Sequence, residues 1–501
     1  MAFVLRAKRF DLSTGGQPFV VVIRNEDGKN FGIHAGDRLV LQVDGKKVIV
    51  QADLTHRRVK QGEIGLFREV WRENKIQNLQ AVEISPFARP VSVEAIKKSL
   101  LGKKLRQADF DSIVQDIVNN RFGTTELTYF VASSFVREYS NQELYYLTKA
   151  IAVHGDQVRF NKKIVADKHS VGGLAGNRTT MIVVPIIASI GVCIPKTSSR
   201  AITSPSGTSD TMEVLAPVAF SVEQIRKIVK KNSSCLVWGG GLQLAPADDR
   251  IIKVSRPLSL EPYSKMIVSI MAKKVAMGIT HLVIDMPYGH STKIPDLASA
   301  KRLAARFRYL GKRFNIKIKV VMIEALEPIG QGIGPALEAR DVLRVLQQKE
   351  YRPKDLEEKA LKLAGMLIEL IGMARKGTGS SVARDQLVSG RAWKAMQGII
   401  KSQGGEPNLD SEDVTLGAKR FRVVAKHSGK IIKINNQAID ELARSLGAPD
   451  DKVGGLHLKK RLNEKVISGE VLYTCYASNT SRLSLAAAAL KHIQVYTISR
   501  K

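Results

Sequence analysis

Residues 167–215, DKHSVGGLAGNRTTMIVVPIIASIGVCIPKTSSRAITSPSGTSDTMEVL, limit the possible folds more than any other stretch of the chain. One apolar segment, residues 180–194, separates two polar loops. In the first, Lys168, His169 and Ser170 run into Gly172, Gly173 and Gly176. In the second, Lys196 to Arg200 is followed by Thr203, Ser204, Ser206, Gly207, Thr208 and Ser209. Glycine lets backbone N–H groups approach an anion closely, small hydroxyls add short donors, and Lys and Arg supply charge. These are the materials of a phosphate site. Either loop alone reads as an ordinary turn. Two of the same chemistry around one apolar segment favour an anion site. If that segment is a helix with a loop at each end, a third element must bring the loops together.

From about residue 163 to 345 strand and helix signals alternate, which predicts a mostly parallel sheet covered on both faces. Strands are expected at 164–166, 281–285 and 316–323. Helices are expected at 222–231, with Ser221 and Gln224 as a capping box, and at 263–277 and 296–310. Ligands on such sheets sit at the carboxyl ends of strands, where Asp167, Lys168 and Asp285 fall. GQGIGP at 330–335 opens a helix, but Pro335 breaks the dinucleotide-binding pattern, so NAD is not expected.

Around this α/β core, assigned to 161–405, three further regions are expected. Residues 1–85 are β-rich, with Asp44-Gly45 a hairpin signal between strands at 39–43 and 47–51. Pro86 and Pro90 end that domain. Residues 86–160 form a helical lobe with helices at 93–101, 107–120, 125–137 and 141–151. Ser92 is the expected cap of the first, and Ser140 with Glu143 the capping box of the last. Helices at 354–373 and 390–402 return to the core, and Gly404, Gly405 and Pro407 mark a linker. Residues 413–501 read as an α+β module, with strands at 420–425, 430–434 and 471–476 and a helix at 436–446.

A chain of 501 residues needs several cores. Its net charge of +31 raises the question of nucleic acid. The cations are spread along the chain, and their clusters at 97–106, 301–319 and 459–465 are not interleaved with aromatics. A solvated basic surface, or a field that attracts small anions, accounts for the charge. Cys193, Cys235 and Cys475 are too far apart for metal or redox spacing, and a cytoplasmic setting is expected. No apolar run is long enough for a signal peptide or a membrane span.

The loops DKHSVGGLAGN and KTSSRAITSPSGTSDTMEVL resemble those of the thymidine and pyrimidine-nucleoside phosphorylases. The likeness covers essentially the whole chain, including GQGIGPALEARDVL. It is nearest to the long branch with an extra N-terminal domain, which holds archaeal AMP phosphorylases and bacterial proteins assigned as thymidine phosphorylase. The resemblance implies phosphorolysis: inorganic phosphate attacks C1′ of the sugar and the base leaves. It implies no metal or redox cofactor, and a homodimer or larger homo-oligomer with neither nucleic acid nor membrane as partner.

Carried over residue by residue, the resemblance assigns phosphate or nucleotide contacts to Lys168, Ser170, Gly173 and Thr180, the last interchangeable with Thr179. In the second loop it assigns Ser198 and Thr208, with Ser199, Arg200, Ala201, Ile202, Thr203 and Ser204 wrapping the ligand. Arg200 has pairing with an acid such as Asp210 as its alternative role. His169 touches sugar or base, or makes a structural hydrogen bond. Glu261 falls where the AMP branch has an aspartate proton donor. Its alternative is a helix-start charge. Ser269 and Lys273, one turn apart, bind the base, and Lys293 matches a ligand lysine of the long branch. The classical base-side arginine has only Arg256 as a counterpart, at shorter spacing. The wording of TSPSGTSDTMEVL and NRTTM is nearer the bacterial proteins, so thymidine is the expected substrate and AMP the alternative. A phosphoribosyltransferase of the anthranilate type would need a GTGGD loop, which the sequence lacks. A basic nucleic-acid binder rests on charge alone.

Overall fold

In the strand Arg38–Val43, Leu39, Leu41 and Val43 are buried while the residues between them stay partly exposed, the two-residue period of a half-buried strand. The same period shapes the front of the computed structural model, which describes residues 2–15, 19–201, 204–255, 262–290 and 292–499. Six strands, β1 (Phe3–Arg9), β2 (Val20–Arg24), β3 (Arg38–Val43), β4 (Lys46–Thr55), β5 (Glu63–Leu66) and β6 (Ala81–Pro86), close into a barrel in the order β1-β5-β2-β4-β3-β6. Leu5, Val21, Ile23, Leu41, Ile64 and Ile84 fill its interior. Asp44 and Gly45 take the expected hairpin turn between β3 and β4, with φ of 47° and 77°. Helices α1 (Asn25–Phe31), α2 (Arg68–Glu73), α3 (Val93–Leu100), α4 (Gln107–Val118) and α5 (Thr124–Val136) complete the first compact unit, Met1–Arg137. Ser92 does not cap α3. Its own backbone is already helical, and its hydroxyl donates instead to the buried carboxylate of Asp116.

The second unit, Glu138–Lys501, opens with α6 (Asn141–Val153). There the Ser140/Glu143 capping box forms as expected. Next come β7 (Ala166–Ser170), α7 (Thr180–Ser189), β8 (Ile194–Ser198), α8 (Thr208–Met212), α9 (Val222–Asn232) and β9 (Ser234–Trp238). They are followed by α10 (Pro246–Ser255), α11 (Tyr263–Ala276), β10 (His281–Tyr288), α12 (Leu297–Arg313) and β11 (Lys317–Glu324). Strands β11-β10-β7 pair in parallel, as do β8-β9, and a parallel bridge between Val165 and Cys193 joins the two sets. The result is the parallel sheet that the alternating signals predict.

Two expectations are corrected here. The strand before the first loop runs from Ala166 to Ser170 rather than over 164–166, because Asp167 and Lys168 are buried strand residues whose charges find partners inside, and His169 continues the strand. The apolar segment is not one element: α7 ends at Ser189, the chain turns at Gly191 with φ 79°, and β8 returns. That returning strand brings the two loops together. Strands β7 and β8 run from the single bridge at their starts, and Arg178 at the end of the first loop reaches Ser206 O in the second.

Beyond β11 lie β12 (Gly332–Ile333), α13 (Pro335–Leu346), α14 (Lys354–Leu370), α15 (Gly379–Val388) and α16 (Arg391–Ser402). Helix α15 was not foreseen. These helices and α7 share one apolar cluster that includes Ile182, Ile186, Val342, Leu363, Leu367 and Ile399. The chain ends with β13 (Lys419–Val424), β14 (Gly429–Ile434), α17 (Asn436–Ser445), β15 (Gly455–Leu458), β16 (Lys465–Val466), β17 (Val471–Ala477), α18 (Thr480–Ala489) and β18 (Tyr496–Ile498). Strand β12 pairs with β15 in the sheet β12-β15-β17-β13, which ties the C-terminal module to the core. Among the described residues no helix is long and apolar enough to cross a membrane.

Candidate active site

Side chains alternate along β7, and this divides the site into two polar clusters on opposite faces of the sheet. Lys168 and Ser170 point one way, Asp167 and His169 the other.

On the first face Lys168 is fully buried. Its ammonium donates to the hydroxyls of Thr179 at 2.8 Å and Thr180 at 3.2 Å, and lies 3.6 Å from Asp285 on β10. Burial pulls its pKa down to about 8, although Asp285 pulls the other way. Asp285 also accepts from the Asn177 side chain at 3.0 Å and lies 3.3 Å from Lys359 of α14. Burial disfavours its charge, yet Lys359 and Lys168 hold it below the usual carboxylate range. The hydroxyl of Ser170 accepts from Gly172 N at 3.4 Å and from Asn177 at 3.3 Å. Thr179 spends its own proton on Asn177 at 3.1 Å, while Thr180 is the first residue of α7. The start of α7 therefore adjoins the first loop, with the N–H groups of Met181, Ile182 and Val183 donating to the carbonyls of Arg178 and Thr179 just before it.

Glycine is required twice in that loop. At Gly173, φ is +83° and a Cβ would sit 2.6 Å from the backbone N of Lys293. At Gly176, φ is +70° and a Cβ would meet Ile329 O at 2.0 Å. Gly173 thus brings Lys293, a sequence-predicted ligand, against the first loop. The side chain of Asn436 on α17 binds the loop from outside, accepting from Ala175 N and donating to Gly173 O.

The second loop is held by acids. Ala201 N and Gly207 N both donate to one oxygen of Asp210, at 2.7 and 2.9 Å, which cinches the loop at its two ends. Arg200 lies 3.6 Å from Asp210 but is gripped mainly by Glu213, in a two-pronged pair at 2.6 Å. Its guanidinium also lies over Trp238. The hydroxyl of Ser198 meets that of Ser209 at 3.0 Å, and Ser199 O accepts from Ser209 N. Ser204 donates to Ser206 O, and Thr208 opens α8 partly exposed. Ile202 and Thr203 lie outside the described residues. The two loops are stitched together from below: Arg178 pairs with Glu338 of α13 and donates to Ser206 O, and Thr211 also donates to Glu338.

On the second face Asp167 lies 3.2 Å from Lys196 and 2.5 Å from Lys274, all three buried. Burial lowers Lys196 to about 7 against the pull of Asp167. His169 is pushed well below its ordinary value, first by burial and then by Lys274 and Lys196, so its ring is neutral. Nearby on α11, Ser269 and Lys273 share a face as expected and both donate to Asp248 of α10, Ser269 at 2.6 Å. Burial raises the adjacent Asp249 to about 6. Glu261 and Arg256 lie outside the described residues.

Asp248, Asn177, Arg178, Lys359 and Glu338 escaped the sequence reading. Of these, Asp248 carried a usable signal, since PADD stands one helix before the Ser269/Lys273 pair. In GQGIGP, the carboxylate of Asp341 accepts from Gln331 N at 2.7 Å and Gly332 N at 2.6 Å, so an internal anion already takes those amides.

Residues 162–393 match the family model of the glycosyl transferase family α/β domain, and residues 430–497 that of the pyrimidine nucleoside phosphorylase C-terminal domain. The chain is 40% identical over 489 residues to an AMP phosphorylase of Pyrococcus furiosus, covering 98% of this chain and 96% of the relative. It is 42% identical over 468 residues to an AMP phosphorylase of Thermococcus kodakarensis, covering 93% of each. Among solved structures, anthranilate phosphoribosyltransferase of Thermus thermophilus superposes with a TM-score of 0.52 at 16% identity, over 62% of this chain and 99% of the other, a likeness of fold.

Proposed function

We propose, from the premise that this chain belongs to the nucleoside phosphorylase family that includes the archaeal AMP phosphorylases, that it splits AMP with inorganic phosphate into adenine and ribose 1,5-bisphosphate. The chain is a pentosyltransferase that cleaves an N-glycosidic bond by phosphorolysis. Thymidine, expected from the wording of the loops, gives way to AMP, because relatives at 40% and 42% identity over nearly the whole chain carry that name. The observation that supports the reading is the tie between the two hydroxyl-and-glycine loops, where Arg178 donates to Ser206 O, beside a buried Lys168.

In this reading inorganic phosphate sits between the loops. It takes hydrogen bonds from loop amides, Ser170, Thr180, Ser198 and Thr208, with the start of α7 and the Lys168 charge beneath it. An oxygen of phosphate attacks C1′ as the C1′–N9 bond breaks and its electron pair leaves with the base. Holding the two reactants in line supplies much of the rate. The departing base needs a proton, and the resemblance assigns its delivery to Glu261. Ser269 and Lys273, fixed by Asp248, orient the base. The 5′-phosphate takes Lys293 beside Gly173, while Arg200, occupied by Glu213, shapes the second loop.

The test is release of free base from AMP and from thymidine, each with and without phosphate, followed by chromatography. Phosphate-dependent adenine from AMP is the expected result. Faster thymine release would restore thymidine, and no release from either would end the phosphorylase reading. Glu261→Gln should lower turnover by roughly 100-fold or more with the KM for AMP little changed. Unaltered turnover would remove Glu261 from the reaction.

A further inference from the structure

The C-terminal sheet carries a cavity of about 590 Å³ that shares no lining residue with the two loops. Its walls follow from strand register. Arg422 on β13 is level with Thr474 on β17, which is level with His457 on β15. Arg420 is level with Tyr476, and Lys459 follows His457 by two. All six therefore stand on one face of the sheet. The alternate residues, Phe421, Leu456, Leu458, Tyr473 and Cys475, turn the other way into the apolar core of the module.

An exposed antiparallel face ordinarily mixes charges of both signs. This one does not. The lining holds Arg420, Arg422, Lys459 and Lys460 against one carboxylate, Glu470, which pairs with Lys460. Arg420, Arg422 and Lys459 make no side-chain hydrogen bond or ion pair with any described residue. Two polar residues in the same face are almost wholly buried: Thr474, 4% exposed, which lines the cavity, and His457, 6% exposed. The Nε2 atom of His457 has no hydrogen-bond partner. Burial, and then Lys459, depress the ring to about 3, so it adds no charge.

We infer that this cavity is a second anion site, built for a small molecule carrying a pyrophosphate-type group. Three unneutralised cations in one concavity repel each other until an anion enters. Two guanidiniums two residues apart on a strand present paired forks that suit phosphate oxygens. The hydroxyls of Thr474 and Tyr476 add neutral donors at the cavity wall. The volume is that of a small-molecule pocket. A single aromatic, Tyr476, gives no track of stacking platforms for a nucleic-acid strand.

The test is isothermal titration of the full chain with inorganic pyrophosphate and, in parallel, with ADP. It compares the wild type with Arg420→Ala/Arg422→Ala and with Arg422→Glu. Both arginines are exposed, so the variants should melt like the wild type. Saturable binding weakened at least tenfold by either change, with the KM for phosphate in phosphorolysis unchanged, is the expected result. Equal affinity for the two probes would identify the bare pyrophosphate group as sufficient, and tighter ADP binding would identify a nucleotide as its source. Lys168→Ala, which addresses the other site, should leave this binding in place. Loss of pyrophosphate binding in well-folded Lys168→Ala, or binding indifferent to the arginines, would overturn the inference. So would a single-stranded oligonucleotide that outcompetes ADP. Pyrophosphate binding can be read without activity, so it stands or falls apart from the phosphorolysis reading.

Discussion

Replacing Asp285 by Asn removes one negative charge from a wholly buried place, 3.6 Å from Lys168 and 3.3 Å from Lys359, and keeps the shape. The wild-type balance can be estimated. The fall of Lys168 from 10.5 to about 8 corresponds to a bias of roughly 3 kcal/mol toward the neutral amine, at about 1.4 kcal/mol per pH unit. That bias exists although Asp285 favours the ammonium. Without the carboxylate the value moves lower still, and Lys168 sheds its proton near neutral pH. A charge-assisted hydrogen bond is worth about 1.5–3 kcal/mol, so the variant should lose roughly 10- to 100-fold in kcat/KM for phosphate at pH 7.

The assay is phosphate saturation of phosphorolysis from pH 6 to 9 for both proteins, taken as a ratio so that the ionisation of phosphate itself cancels. In the wild type the contribution of Lys168 fades as pH rises through about 8. In Asp285→Asn it should already be absent at neutral pH, so the ratio is largest near pH 7 and closes above pH 8. Stability has the opposite trend. The folded pKa lies below the ordinary one, so the penalty for burying the ammonium is full below about pH 8 and is relieved as pH rises toward 10.5. Removing one partner of a buried pair costs roughly 3–5 kcal/mol, which should show as earlier urea unfolding at pH 6. A flat ratio across the pH range, with unfolding unchanged, would refute the assignment of the Lys168 charge to phosphate and to Asp285.

Gly173→Ala places a methyl 2.6 Å from Lys293 N at a left-handed φ. It should cost at least about 1 kcal/mol in melting and raise the KM for AMP, and a neutral result would separate Lys293 from the ligand. Asp248→Asn frees Ser269 and Lys273 from their shared anchor. It should weaken substrate KM by roughly tenfold with the KM for phosphate unchanged, and equal losses in both would point to general unfolding. His169 is held neutral by burial and by neighbouring lysines, so its NMR signals should not titrate between pH 6 and 8. A midpoint in that range would contradict the second-face cluster.

Periodicity and local composition carried much of the architecture. Local runs announced a β-rich front and the strands on either side of its hairpin, β3 and β4, but not β1 or β5; Asp44-Gly45 announced the hairpin, and Ser140/Glu143 and Ser221/Gln224 the starts of α6 and α9. Each is decided by neighbours within four residues. Strand β7 was misplaced because Asp167, Lys168 and His169 look like loop residues when judged alone. They become strand residues only once Lys196, Lys274, Thr179 and Asp285 surround them. Helix α3 took Ser92 without using it as a cap because Asp116, on another helix, competes for the hydroxyl.

Sequence alone determined the chemistry on offer: two loops of glycine, hydroxyl and cation, placed at the carboxyl ends of strands in a parallel sheet. It could do so because those residue types lie within fifty positions and obey local rules. Only the tertiary structure decided which charges are neutralised and which stay available. Asn177 meets Asp285 from 108 residues away, and Arg178 meets Glu338 from 160. A buried ion takes whatever partner the packing brings to it, and no local pattern in the chain names that partner.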